Sequence, residues 1–225
     1  MTDNEKTSLK NQAQDLIKIF NEKEDTETAV LKMADYIISN KEEAEALKSW
    51  MKEHEFFTSP ASTCFHGNYK GGLAEHSLLV TVQALKLALP VLENYEECKG
   101  TENEYPVTAE DIFISCITHD FCKAGLYNSD FRNIKDENGN WVKTECYSVQ
   151  YDNRNLGHGN ESVLRLLECM PSLIKKRYVI EAVSRHMGFS DLAPMESKNF
   201  SVFLQNPLVI LSQIADETAA AWYDC

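Results

Sequence analysis

A histidine and an aspartate stand side by side at His119-Asp120, directly before Phe121-Cys122-Lys123. Imidazole and carboxylate are natural donors for a divalent ion. Neighbouring residues on a helix point about 100° apart, so the pair can serve one ion only near a helix end or kink. Gly125 allows such an end. Alone, a His-Asp dipeptide also suits a capping or hydrogen-bonded role. Its company points to chemistry. Five of the six histidines follow in order, His66, His76, His119, His158 and His186, and a late Asp216 lies within the apolar helical stretch that includes Ile214 and Ala215. A charged Asp on an apolar face costs several kcal/mol unless it is paired or holds a metal. Between Arg185 and the C-terminus the sole cationic Lys or Arg is Lys198. A partner for Asp216 must come from elsewhere in the chain, and metal ligation accounts for it.

The string His66-Gly67-Asn68-Tyr69-Lys70-Gly71-Gly72-Leu73-Ala74-Glu75-His76-Ser77-Leu78, then Ile117-Thr118-His119-Asp120-Phe121-Cys122-Lys123, then Asp216, resembles the HD-domain metal-dependent phosphohydrolase superfamily. Within it the motifs are most similar to HD domains of bacterial 3′→5′ exoribonucleases and of small bacterial and phage hydrolases. The resemblance spans residues 60–220. It implies an all-α HD-domain helical bundle with metal ligands His76, His119, Asp120 and Asp216. Some members add two histidines before the final Asp, and here Gly157-His158-Gly159 and Arg185-His186-Met187-Gly188 fill those places.

On that reading His76, His119, Asp120 and Asp216 hold a first ion, and Asp120 bridges to a second held by His158 and His186. One or two divalent ions are expected. Imidazole with carboxylate suits Mn²⁺, Fe²⁺, Ni²⁺, Co²⁺ or Zn²⁺ better than Mg²⁺, which prefers oxygen ligands. A pair of ions about 3.5–4 Å apart activates water and steadies a phosphoryl oxygen, so no side-chain nucleophile is needed. Lys123, three residues after Asp120 and common at that offset in the superfamily, is the cation for a substrate phosphate; its bland role is a surface or helix-end lysine. His66 contacts substrate, acts as an acid for the leaving group, or stabilises the glycine-rich loop. Glu75 orients a ligand or water, or is a solvated charge. Arg154 and Arg185 are candidate phosphate binders. His54 reads as a surface residue.

The chain has 225 residues, 43% apolar and 25% charged, the composition of a globular protein. Its net charge of −13 argues against a surface dominated by phosphate neutralisation. Seven scattered cysteines without a Cys-x-x-Cys pair suit reduced thiols, hence a cytoplasmic protein. The polar N-terminus lacks a signal core, and no apolar run of about 18 residues suggests a membrane span. No P-loop, dinucleotide fingerprint or nucleophile elbow is present. The expected activity is metal-dependent hydrolysis of a phosphoester bond in a nucleotide or related small phosphate compound. The alternatives are a 3′→5′ exonuclease or phosphodiesterase on RNA ends, and a non-catalytic metal-binding sensor module.

The elements that must position these residues are mostly helical. Apolar stripes Leu9/Ala13/Leu16/Phe20, Val30/Met33/Ala34/Ile37 and Ala44/Leu47/Met51 predict three helices in residues 1–57, packed on an HD domain of residues 58–225. Thr7-Ser8 is a candidate cap for the first, and Lys41-Glu42-Glu43 reads as a solvated face. A loop at 58–63 and a glycine-rich approach lead to a helix from Leu73 to Leu89, ended by Pro90. Thr108 to Asp111 resembles a capping box opening a short helix to Thr118. Asn138-Gly139 between Phe131–Ile134 and Trp141-Val142, with Tyr147, Val149 and Tyr151 alternating beyond, predicts a tight β-hairpin insertion over 130–151. Helices follow at 160–169 and 172–186, and from Asn206 as cap and Pro207 as first helical residue to Trp222.

Overall fold

The computed structural model describes residues 1–99, 105–149, 156–189 and 197–223. Helices α1 (Asp3–Asn21), α2 (Thr26–Ile37) and α3 (Lys41–Glu53) precede the long α4 (Gly72–Lys99) and α5 (Ala109–Thr118). A 3₁₀ turn at Phe121–Lys123 leads into strands β1 (Tyr127–Lys135) and β2 (Trp141–Val149). Then come α6 (His158–Cys169), a 3₁₀ turn at Pro171–Lys175, α7 (Arg177–Arg185), a 3₁₀ stretch at Ser197–Gln205 and α8 (Pro207–Tyr223). The fold is mostly helical with one small antiparallel hairpin, as the sequence led us to expect.

The apolar stripes face a single continuous core. Leu16, Met33, Leu47 and Met51 from the first three helices share it with Leu73, Phe113, Val183 and Leu208 from later ones. Helix α4 lies at its centre against α1, α2, α5 and α8. It has the length and apolar content of a membrane span, and most of that stretch is buried among the other helices. Its hydrophobicity therefore serves packing.

Several boundaries differ from the sequence reading. The cap of α1 is Thr2, whose hydroxyl accepts from the Glu5 amide while Glu5 accepts in return; Thr7 instead donates to the Asp3 carbonyl. Glu43 is not solvated. It is buried, and its carboxylate accepts from the amide and hydroxyl of Ser172, capping the 3₁₀ turn beyond α6. Helix α4 continues through Pro90, which lies on its exposed side. The carbonyl that Pro90 leaves without a donor belongs to exposed Lys86, where water can satisfy it. The stretch expected as one helix at 172–186 is a 3₁₀ turn followed by α7. The capping box at Thr108 and Asp111 opens α5, and Asn206 caps α8 by accepting from the Leu208 amide.

The hairpin begins at Tyr127, earlier than expected, and pairs from Tyr127 with Val149 to Lys135 with Trp141. Its turn is not a tight two-residue one. Residues 136–140 form a longer loop in which Asp136 accepts from the amides of Asn138 and Asn140, with Gly139 at φ +83°. Tyr151 lies outside the described residues.

Candidate metal centre

Each ligand candidate stands where a helix starts, ends or faces the core. His76 lies in the second turn of α4. The approach to it is shaped by Gly67, with φ +60°, and by Gly72, where a Cβ would sit 2.1 Å from the Gly67 carbonyl oxygen. Only glycine permits that contact, so the glycine-rich string fixes the loop that carries His66 over α4. His119 is the C-cap residue of α5, and Asp120 follows as the first residue out of the helix. His186 is likewise the C-cap residue of α7. Asp216 projects from the middle of α8.

His76, His119, Asp120 and His186 are almost fully buried, and the Asp216 side chain is mostly so. One ligand atom each from His76, His119 and Asp216 lies within 4.8 Å of the others, and so does one each from His119, Asp120 and His186. His76 Nε2 is 3.1 Å from Asp216 Oδ1. The two oxygens of Asp120 face different ways. Oδ2 is 3.3 Å from His119 Nε2 and 3.9 Å from His76 Nε2, while Oδ1 is 3.5 Å from His186 Nε2. Asp120 thus stands between two sets of imidazoles.

The histidines are oriented alike. His119 Nδ1 is 2.6 Å from the Cys116 carbonyl and His186 Nδ1 is 2.8 Å from the Val183 carbonyl, each three residues back at its helix end. A carbonyl only accepts, so Nδ1 carries the proton and Nε2 presents its lone pair inward. His119 Nε2, His186 Nε2 and Asp120 Oδ1 are buried atoms with no hydrogen-bond partner. Inward lone pairs beside unsatisfied carboxylate oxygen are costly without a cation, and these donors fit a divalent transition metal.

The charges agree. Burial opposes ionisation of Asp120, but Lys123 and His119 outweigh it and hold the carboxyl well below its usual range. Burial likewise opposes ionisation of Asp216, yet in the metal-free centre His76 as a hydrogen-bond donor and His119 when its ring is protonated, both standing in for a cation, bring it to about 2. Lys123 Nζ lies 2.7 Å from Asp120 Oδ2; burial alone would lower its value, and Asp120 raises it above the ordinary lysine range. Two carboxylates with one lysine leave negative charge for a cation to balance.

His66 is half-buried, its ring 4.8 Å from that of His76, and burial followed by the neighbouring His76 lowers its pKa. Glu75 accepts from the Tyr69 hydroxyl at 2.8 Å and points to solvent, the bland role foreseen for it. His158 opens α6, is exposed, and belongs to neither ligand group. Arg185 stacks on Phe203 at 4.5 Å. Arg154 lies outside the described residues. Cys122, next to Asp120, is buried with its thiol pushed up to about 12, which removes it as a nucleophile near neutrality. The described cysteines, Cys64, Cys98, Cys116, Cys122, Cys146 and Cys169, are free thiols.

The sequence reading missed what buttresses this centre. Phe121 stacks on Trp50 of α3 at 4.3 Å and meets Phe56 edge-on at 5.4 Å, so α3 and the turn after it brace the turn carrying Asp120. Gln213 Nε2 donates to the Arg185 carbonyl at 2.9 Å, joining α8 to the end of α7 just before His186. No local sequence signal marks either contact.

A dihydroneopterin 2′,3′-cyclic phosphate phosphodiesterase of Methanocaldococcus jannaschii is 30% identical to this chain over 149 residues, 65% of the chain and 48% of that protein. The chain therefore spans about half the length of the curated relative it matches. No family model matches, and no solved structure matches. The chain is thus similar over much of its length to a protein named as a phosphodiesterase, and its buried imidazoles and carboxylates form a centre suited to a divalent metal.

Proposed function

We propose that this chain is a metal-dependent phosphohydrolase of the HD-domain type that cleaves a phosphoester bond in a nucleotide-type small phosphate compound. The observation that carries the reading is the inward aim of His119 Nε2 and His186 Nε2 on either side of the Asp120 carboxylate. His76, His119, Asp120 and Asp216 would hold one ion, and His186 beside Asp120 Oδ1 marks the side for a second. A divalent ion there supplies Lewis acidity toward a phosphoryl oxygen and lowers the pKa of water toward about 7.

The chain's own side chains supply the rest. Asp120 stays ionised, and its two oxygens serve opposite sides of the centre. Lys123 keeps its positive charge beside Asp120, where it neutralises a substrate phosphate. His66 is neutral near pH 7 and stands at the rim, able to bond to a leaving oxygen without competing as a cation. The substrate in the relative's name, dihydroneopterin 2′,3′-cyclic phosphate, supports a small phosphodiester.

A second reading, an RNA or oligonucleotide end, rests on the hairpin. Exposed Phe131 and Trp141 lie beneath Lys143 and Lys135 on one face, at 4.1 and 5.2 Å, and the hairpin starts at Tyr127, which senses the charge of Lys123. Rings interleaved with lysines suit stacked bases. A panel of cyclic mononucleotides, nucleoside phosphates and short RNA oligomers, assayed with Mn²⁺, Ni²⁺ or Mg²⁺ after chelator treatment, separates the readings. Turnover of small phosphoesters that returns with added metal is expected. Full activity in the chelated protein would refute metal dependence, and no turnover of any substrate would leave the metal-binding sensor.

A further inference from the structure

Away from the centre, a polar cluster built on one buried carboxylate joins the opposite ends of the same helices. Asp111, in the first turn of α5, is fully buried. Its Oδ2 accepts from the Thr108 amide at 3.0 Å, the Thr108 hydroxyl at 2.7 Å and the Tyr178 hydroxyl at 3.0 Å. Its Oδ1 accepts from Lys176 Nζ at 2.7 Å. Lys176 and Tyr178 open α7. The cluster extends to α8, because Asn206, which caps that helix, donates from Nδ2 to the Tyr178 carbonyl at 2.8 Å.

The spacing gives the cluster a purpose. From Asp111 to His119 is eight residues, and from Tyr178 to His186 is eight residues. Each interval is about 12 Å of helix. Helices α5 and α7 are therefore fastened side by side at one end and deliver their C-cap histidines side by side at the other, with ring centroids 4.8 Å apart. A capping box needs only Thr108 and Asp111. The Lys176 and Tyr178 bonds are additional, span 65 and 67 residues of sequence, and act between helices.

We propose that Asp111, Lys176 and Tyr178 are positioning residues. They lock the axial register of α5 against α7, with Asn206 bringing α8 to the same plate, and so set the spacing of His119, His186 and Asp216. This rests on the reading of the centre as a metal site. A slip of α7 along α5 would carry His186 Nε2 away from Asp120 Oδ1, although no residue of the cluster touches a ligand. Metal ligands tolerate little displacement, so the register is felt as affinity.

The test compares variants of the full chain by Co²⁺ titration, read as affinity and as the visible absorption spectrum, alongside thermal unfolding of the metal-free protein. Lys176→Met and Tyr178→Phe should weaken Co²⁺ binding, the former by about tenfold, and alter the spectrum. Lys176→Arg should restore both. Thr108→Ala, which removes a cap bond within α5 and leaves the cross-helix bonds, should lower the unfolding temperature without changing affinity or spectrum. Should Lys176→Met not fold because Asp111 is left as an unpaired buried charge, Tyr178→Phe decides, since it keeps the ion pair. Unchanged Co²⁺ binding in a folded Tyr178→Phe, or a loss in Thr108→Ala that tracks its lower stability equally, would overturn the proposal. Wild-type protein that takes up no divalent metal would instead end the reading of the centre, and the purpose of the register with it.

Discussion

The centre around Asp120 and the hairpin of β1 and β2 adjoin in sequence and follow opposite rules. Around Asp120, side chains from five different elements meet, and nearly every one is buried. The hairpin bonds to itself. Its strands pair over nine positions, while Phe131 is 52% and Trp141 69% exposed. An isolated two-stranded hairpin is marginal in water, and here Lys143 over Phe131 and Lys135 over Trp141 add cross-strand support. The contrast teaches where precision resides. The centre is over-determined by packing between distant segments, whereas the hairpin rests on the pairing of its own strands.

The largest effect is expected from Phe121→Ala, which removes a fully buried ring wedged between Trp50 and Phe56. It should cost about 3–5 kcal/mol by denaturant unfolding. A loss as small as that of a surface residue would show that α3 and the turn after it do not brace the centre.

His186→Ala should lower activity by about 10–100-fold and reduce bound metal without unfolding the chain. Unchanged metal content would make His186 a structural histidine. A smaller effect concerns pH. The Asp216 carboxyl lies at about 2 in the folded protein, below its ordinary value, so the unfolded chain takes up its proton first. Its contribution to stability is complete above about pH 4 and is lost as the pH falls toward 2. Metal-free Asp216→Asn should therefore show a flatter fall in unfolding temperature across that window than the wild type, and parallel curves would contradict the assignment. Trp141→Ala, on the hairpin, should change stability by no more than about 0.5 kcal/mol. If it proved as costly as Phe121→Ala, the hairpin would belong to the packed body.

Much of the fold was legible because burial imposes periodicity. Leu9, Ala13 and Leu16, or Ala44, Leu47 and Met51, repeat at helical spacing and all face the core. Thr108 and Asp111 announce a helix start because a capping box is local. The ligand candidates were legible by residue type and order, and Asp216 by the absence of nearby cations. What stayed hidden depends on distant partners. Glu43 reads as a solvated charge until Ser172 is brought to it, and Asp111 reads as a cap until Lys176 and Tyr178 arrive. Pro90 reads as a stop, but its exposed side of α4 lets the helix continue. His158, chosen from its place in the order of histidines, stands exposed because α6 begins with it at the surface.

The central claim is that the buried imidazoles and carboxylates hold divalent metal for phosphoester hydrolysis. Metal content per chain, measured for purified wild-type protein and for Asp120→Ala under the same metal supplementation, tests it most directly. The account predicts one or two ions in the wild type and a loss of bound metal, together with phosphoesterase activity, in a variant that stays folded. A wild type that binds no metal, or an Asp120→Ala variant that keeps its full complement, would contradict it.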